Sequence, residues 1–300
     1  MTPPLISAII PTYNHGNYIG RSISSVLSQT FTDYEVIVVD DGSTDGTLER
    51  LRVFGDNIKY HRQANRGLGS ARNAGLALAK GKYVQLLDAD DSIAPEKFEM
   101  QVPVLAADES ISVVYSDYAN LDSNQKMFGE TSSPLSPGES PLWRLIRENF
   151  MPVHSPLVRR EALLKEGGFD ESRDAQEDWD LWLRLASRGH QFQYCPGVFA
   201  HYHRDGSRMT SNSDLMYRRG QHLLSKFSAD PLFRSLEGGR LFEEFCLHQH
   251  LSLANRSYNQ KKWSTARSHI LKAIQARPKM IDLNTWLLLL KTMIHPVLSP

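Results

Sequence analysis

Along the first 115 residues, apolar and polar positions alternate in blocks that predict strands and helices in turn. Leu5 to Ile10 is a short continuous apolar run ending at Pro11, the signature of a buried strand. Asn17 to Gln29 carries Ile19, Ile23, Val26 and Leu27 at helical spacing. Tyr34 to Val39 is β-branched and apolar and stops at Asp40-Asp41-Gly42-Ser43. Thr44 to Phe54 reads as a helix with Asp41 or Ser43 as its cap, and Asn57 to His61 as a short strand. Gly69 to Ala79 is an Ala/Leu-rich helix with Gly81 as its C-terminal stop. Lys82 to Leu87 is a fourth strand, ending at Asp88. Pro95 to Ala106 is a helix opened by proline, and Ile111 to Tyr115 is a fifth strand.

Strands with continuous apolar runs, alternating with helices, predict an α/β fold with a mostly parallel sheet covered on both faces. In such sheets ligands bind beyond the carboxyl ends of the strands. Three polar clusters fall there, each directly after a strand: Thr12-Tyr13-Asn14, Asp40-Asp41 and Asp88 to Asp91. They are expected to converge on one crevice. Residues 117 to 141, rich in Ser, Pro, Gly and Asn, read as a loop or a flexible lid. Asp178 to Arg188 is an apolar helix with Trp179, Trp182, Leu183 and Ala186 along one face. Residues 215 to 295 are predicted all-helical. Within them Leu253, Ala254, Ser257, Ala266, Ile270, Ala273 and Pro278 fall near the spacing of one tetratricopeptide-like helix pair. A generic helical hairpin fits the same pattern. A single such pair cannot bury its own face, so it is expected to pack on the rest of the chain or on a protein partner. The expected division is 1–212 and 213–300.

Composition narrows the function. The chain of 300 residues has zero formal net charge and a pI near 7.2, without the basic excess of a nucleic-acid binder. Two distant cysteines, Cys195 and Cys246, make no disulfide framework, which points to a reducing, cytoplasmic setting. Met1-Thr2-Pro3-Pro4 runs straight into the first strand, so no signal peptide is expected. The most apolar late segment, Trp286 to Leu290, is far too short to span a membrane.

The chemistry-bearing residues each carry two readings. Asp88, Asp90 and Asp91 offer the oxygens a hard divalent cation wants, and such a cation often bridges protein to a substrate phosphate. The same acids would also suit a solvated turn ahead of Pro95. Asp40 and Asp41 suit a base N–H or a ribose hydroxyl, or a helix cap. Arg66 to Gly75 opens a helix with glycines that permit close backbone approach, and Arg72 could hold a diphosphate or pair with an acid. Glu177-Asp178 suits a helix first turn or a general base. His201, His203 and Asp205, at alternate positions, suit a metal shell or ordinary hydrogen bonding.

These residues resemble glycosyltransferase family 2, the inverting GT-A enzymes. The resemblance is carried by Ile9-Ile10-Pro11-Thr12-Tyr13-Asn14, by Val38-Val39-Asp40-Asp41-Gly42-Ser43-Thr44-Asp45, and by Asn65-Arg66-Gly67 with Ala71-Arg72-Asn73 and Gly75. Gly81 to Val84, Leu87 to Asp91, Gly167 to Asp170 and Glu177 to Leu181 continue it, over about residues 5 to 210. The resemblance implies a GT-A (Rossmann-like) catalytic domain over 1–212. It also implies that Pro11, Thr12 and Tyr13 line a nucleotide base that Asp40 bonds, and that Arg72 lies near the nucleotide. Asn14, Asp41, Asn65, Gly67 and Ala89 join that site. Asp88 faces the ribose or sugar, Asp90 binds Mg²⁺ or Mn²⁺ on the diphosphate, and Asp178 becomes the general base with Glu177 in support. His203 is taken as a second metal ligand, although the segment His201-Tyr202-His203-Arg204-Asp205 departs from the family pattern and leaves the choice among His201, His203 and Asp205 open.

The implied reaction moves a sugar from a nucleotide donor, UDP-linked by resemblance, to a hydroxyl on a glycan, lipid-linked or protein acceptor. A lipid-linked acceptor would bring the protein to the inner face of a membrane. The loop after Asp117 and the segment after Tyr202 are expected to close over the donor. Two alternatives stand against this. A sugar nucleotidyltransferase would show a Gly-rich basic turn after the first strand, where this chain reads Pro-Thr-Tyr-Asn-His-Gly. A non-catalytic nucleotide-sugar-binding module would lack Asp90 or Asp178, and both are present.

Overall fold

The computed structural model describes residues 2–172, 176–204 and 213–298. Asp205 and the segment that follows it, expected as a ligand and a lid, lie outside the described residues. The chain divides into two compact units, Met1–Pro141 with Asn149–Gly206, and Leu142–Glu148 with Ser207–Pro300.

The first unit is built on a nine-stranded sheet. Strand β1 (Ile6–Thr12) is buried along its whole length and pairs in parallel with β2 (Tyr34–Asp40) and β4 (Tyr83–Leu86). The short β3 (Lys59–Arg62) adds a parallel, exposed edge to β2. The core runs were continuous in the sequence because helices cover both faces. Helix α1 (Ile19–Leu27) follows β1 and turns Ile19, Ile23 and Val26 inward. Helix α2 (Thr47–Arg52) follows β2, and α3 (Leu68–Leu78) packs on β1 and β2. That last contact is tight: a side chain at Gly75 would come within 2.3 Å of Ile9 Cγ2.

Beyond β4 the sheet changes character. After β5 (Ser92–Ile93) and α4 (Lys97–Ala107) come β6 (Ile111–Leu121) and β7 (Met127–Thr131). Helix α5 (Pro141–Arg147) leads to β8 (Leu157–Arg159), α6 (Arg160–Lys165), α7 (Glu177–Ser187) and β9 (Gln191–His203). Strand β8 wedges antiparallel between β4 and β6, β9 runs parallel to β6, and β5 closes the edge antiparallel to β9. The parallel sheet expected from the sequence is therefore the β3-β2-β1-β4 half, and the remainder is mixed.

Three local expectations are corrected. The 117–141 loop is partly sheet: β6 continues to Leu121 and folds back on β7, because polar positions there pair through backbone rather than through an apolar face. The cap of α2 is neither Asp41 nor Ser43. The helix starts at Thr47, whose N–H donates to Asp45 Oδ1 at 3.0 Å. Gly81 does not stop α3, which ends at Ala79 in an extended conformation. It is needed because a Cβ there would meet the β1 backbone at Ser7 N, 2.5 Å away.

The second unit is helical, as expected: α8 (Ser213–Ala229), α9 (Pro231–Ser235), α10 (Arg240–Asn259), α11 (Trp263–Ala276) and α12 (Leu283–Leu298). Helices α10 and α11 pack together, and Leu253, Ala254, Ser257, Ala266, Ile270 and Ala273 are buried, along with Phe245, Leu247 and His269 among others. Leu142–Glu148 joins this unit through an Arg147–Glu244 ion pair at 3.3 Å and the Arg240 guanidinium 5.2 Å over the Trp143 ring. Both cysteines are free. Among the described residues, no helix is long and apolar enough to cross a membrane.

Candidate active site

The carboxyl ends of β1, β2 and β4 lie side by side, so the three polar clusters are neighbours. The first two interlock. Asn14 sits at a positive φ of 56°. Its N–H donates to Ser43 Oγ at 2.9 Å and its Oδ1 accepts from Thr44 N at 2.8 Å. Pro11 pairs with Val39, Thr12 is buried with its hydroxyl lacking a partner, and Tyr13 exposes its ring.

Both acids after β2 face inward. Asp40 is fully buried. Its carboxylate accepts from Ser43 N at 2.7 Å and from the Tyr60 hydroxyl at 2.9 Å, and the exposed Arg62 stands 3.8 Å away. Asp41 accepts from Gln63 Nε2, Arg66 N and Gly67 N, all at 2.8–2.9 Å. It therefore shapes the loop that carries exposed Asn65 and Gly67 toward the start of α3.

The turn after β4 is held from α1. Ser22 Oγ donates to the carbonyls of Ala89 and Asp91 at 2.7 Å, and Arg21 donates to the carbonyl of Asp90 at 2.5 Å. This leaves the side chains of Asp88, Asp90 and Asp91 crowded together. Burial and the Asp88 charge raise the Asp90 carboxyl above its ordinary range. Burial, then Asp90 and Asp88, push Asp91 well above it. Carboxylates crowded in this way fit a divalent cation by their donor chemistry. Among the described residues, no three His, Cys, Asp or Glu side chains form a ready-made metal cage. Magnesium commonly needs only one or two protein carboxylates when phosphates supply the rest.

Arg72 links this turn to α7. Its guanidinium is buried, with NH2 bonded to Asp88 Oδ1 at 2.5 Å and NH1 to Glu177 Oε1. Although burial disfavours its charge, the carboxylates of Asp88, Glu177 and Asp178 outweigh that and raise its pKa. The fork that the sequence offered to a diphosphate is thus occupied by two protein acids. Phe169 lies under it, 5.3 Å from the guanidinium carbon. Asn73 fixes that residue by bonding both its N–H and its carbonyl at 2.8 Å.

Asp178 stands beside Glu177 at the half-buried start of α7. Burial and the neighbouring Glu177 push its carboxyl up to about 6, against the opposing pull of Arg72. Asn149 Nδ2 donates to its Oδ2 at 3.1 Å.

The two histidines fall inside β9. His201 is half-buried, and burial lowers its pKa. His203 is buried. Its Nε2 meets Ser92 Oγ at 2.8 Å and its N–H donates to Asp91 Oδ1 at 3.0 Å, so the structure seats it against Asp91. Sequence reasoning missed His154, which is fully buried with Nδ1 3.5 Å from Asp91 Oδ2 and its ring edge-on to Tyr202. Burial lowers its pKa to about 3, so it is neutral. It also missed Asn149 and Tyr60. Tyr60 lies in the expected short strand, but its bond to Asp40 is not visible in the sequence, and Asn149 and His154 lie in loop segments with no local pattern.

The profile of glycosyl transferase family 2 matches residues 7–166, which contains β1 through α6. A chondroitin synthase of Escherichia coli is 34% identical over 190 residues, 62% of this chain and 27% of that protein. Other curated relatives this chain matches are spanned for 19–58% of their length. Among solved structures, S. aureus TarS 1-349 in complex with UDP-GlcNAc superposes with a TM-score of 0.71 at 20% identity, covering 90% of this chain and 81% of that one. The mannosyltransferase PcManGT from Pyrobaculum calidifontis, in complex with GDP-Man and Mn²⁺, gives 0.58 at 21% identity, covering 100% and 82%. The fold is that of the GT-A glycosyltransferases, and the chain belongs to glycosyl transferase family 2.

Proposed function

We propose that this chain transfers a sugar from a nucleoside-diphosphate donor, a UDP-sugar, to a hydroxyl of a glycan or lipid-linked acceptor, with inversion at the anomeric carbon. The observation that carries the reading is the buried Arg72, which ties Asp88 at the end of β4 to Glu177 at the start of α7. It brings a cation-seeking carboxylate cluster and a carboxyl with a pKa near 6 into one site.

In this reading the exposed Tyr13 ring, Thr12 and Pro11 bound the base side, with Asn14 and Asp41 setting the loops around it. Asn65 and Gly67 border the same side. Asp40 acts from beneath, through Tyr60 and the Ser43 turn. Asp88, oriented by Arg72, meets the ribose or sugar, with Ala89 beside it. Asp90 would hold Mg²⁺ or Mn²⁺ for the diphosphate, with His203, seated against Asp91, as a candidate further ligand. A bound cation neutralises charge on the leaving nucleoside diphosphate. Asp178 accepts the acceptor's proton as its oxygen attacks the anomeric carbon from the face opposite the leaving group. A base pKa near 6 leaves it ionised at neutral pH yet basic enough to work. Metal use is supported by the Mn²⁺ in PcManGT, and the UDP-sugar by the UDP-GlcNAc in TarS, both as analogies of fold.

The test is a panel of UDP-, GDP- and dTDP-sugars with Mn²⁺ or Mg²⁺, following release of the nucleoside diphosphate. One UDP-sugar is expected to turn over slowly by hydrolysis and faster with a glycan acceptor. Release from none of the panel, with or without oligosaccharide acceptors, contradicts the proposal.

A further inference from the structure

Helix α12 is built inside out. Its buried face carries Thr285 and Thr292, 7% and 0% exposed, while Leu283, Trp286, Leu287, Leu290 and Met293 stand 44–73% exposed. Those five recur at three- and four-residue intervals, so they form one stripe along the helix. The threonines satisfy their hydroxyls locally: Thr285 Oγ1 donates to Asp282 Oδ1 and Thr292 Oγ1 to the Leu289 carbonyl, both at 2.7 Å. Scattered exposed leucines are ordinary, but a continuous stripe with a tryptophan marks a surface made to be covered.

Charge says by what. The chain as a whole balances 34 basic against 34 acidic residues. Residues 261–300 hold seven Lys or Arg and a single acid, Asp282. Lys272, Lys279 and Lys291 are exposed. Lys291 falls beside the stripe on the helix, next to Leu287 by angular position. A second copy of the chain, related by a two-fold axis, would set this basic segment against itself. An anionic lipid surface complements it, and tryptophan favours the boundary between headgroup and acyl chain. Among the described residues no helix is long and apolar enough to cross a bilayer, and an apolar stripe flanked by lysines is the form of a helix that lies in its surface.

We infer that α12 binds the protein peripherally to anionic phospholipid membranes, with Leu283, Trp286, Leu287, Leu290 and Met293 inserted and the flanking lysines on the headgroups. The inference stands on the second unit alone and does not depend on the proposed reaction.

The experiment is co-sedimentation of the full chain with vesicles of phosphatidylcholine, and of phosphatidylcholine mixed with phosphatidylglycerol. Binding to the anionic vesicles is expected to be at least ~10-fold tighter and to fall with salt. The Leu287→Glu/Leu290→Glu double variant changes only exposed side chains and is expected to stay soluble with wild-type circular dichroism. Lys272→Glu/Lys279→Glu keeps the stripe and is expected to weaken binding about tenfold. Equal binding to both vesicle types, or unchanged binding of the two double variants, overturns the inference. So does a vesicle-free dimer that Leu287→Glu/Leu290→Glu converts to monomer, which would assign the stripe to a second copy.

Discussion

Two strand ends carry nearly the same residues and come out as different chemistry. After β2, Asp40 and Asp41 meet a donor at every turn: Ser43 N, the Tyr60 hydroxyl, Gln63, and the N–H groups of Arg66 and Gly67. After β4, Asp88, Asp90 and Asp91 crowd one another: Arg72 pairs with Asp88, Arg21 lies near and His203 N bonds Asp91, yet the carboxyls of Asp90 and Asp91 stay raised. Position alone marks both clusters as ligand-side. What separates them is whether the surrounding backbone supplies N–H groups. The first cluster is a brace that shapes two loops. The second is a concentration of negative charge that a cation would relieve.

This contrast can be broken by substitution. Asp178→Asn is expected to lower turnover by about 10²–10⁴-fold while leaving donor affinity unchanged, as measured by steady-state kinetics and donor titration. Wild-type turnover in that variant would remove Asp178 from the role of base. Asp41→Ala should instead act on the fold. It strips three donors of their acceptor and should cost about 2–4 kcal/mol in chemical denaturation. If Asp41→Ala melts like wild type, the brace reading fails.

Asp90→Asn should do the opposite. Because the folded state raises the pKa of Asp90, its ionisation costs stability as pH rises through the ordinary carboxylate range and above. The variant should therefore match wild type near pH 3 and exceed it in stability at pH 8 without metal. A variant less stable at pH 8 would show that the cluster is not strained by charge.

The pH profile sharpens the account of α7. With a carboxyl near 6 acting as base, kcat/KM should fall about tenfold per pH unit below that value and level off above it. Asn149→Ala, which removes a donor that favours the Asp178 carboxylate, should move that acid limb to higher pH by a fraction of a unit. A limb that stays put would show that Asn149 does not reach the working base.

Legibility followed the range of the interactions. Strands β1, β2 and β4 and helices α1, α3 and α7 were readable because each is set by a local run of apolar residues, and the three polar clusters followed from chain order. The wedge of β8 between β4 and β6 was not readable, because three residues, Leu157–Arg159, carry no periodicity and their partners lie more than forty residues away. The loss of that one pairing hid His154 and, with it, the buried environment of Asp91. The Asp40–Tyr60 bond was hidden for a related reason: the strand over Asn57 to His61 was readable, but not that it pairs beside β2 and sets Tyr60 against Asp40. Arg72 was visible as a functional arginine, but its pairing with Asp88 and Glu177 depends on where α7 starts, after a left-handed Gln176. In the second unit the pattern named residues that are buried in α10 and α11, with Pro278 exposed beyond them. It also flagged Trp286 to Leu290 as apolar, but only the structure shows that Trp286, Leu287 and Leu290 face outward.

The central claim is that the β4 cluster holds a metal-bound nucleotide donor. It is best examined by thermal melting of wild type, Asp90→Ala and Asp178→Asn with a UDP-sugar, in Mn²⁺ and in EDTA. A ligand at 100 times its dissociation constant stabilises by about 2.7 kcal/mol, well within reach of the method. The account predicts a donor shift in wild type and Asp178→Asn that needs Mn²⁺, and loss of the Mn²⁺-dependent part in Asp90→Ala. An equal donor shift in EDTA, or a full Mn²⁺-dependent shift in Asp90→Ala, would contradict it.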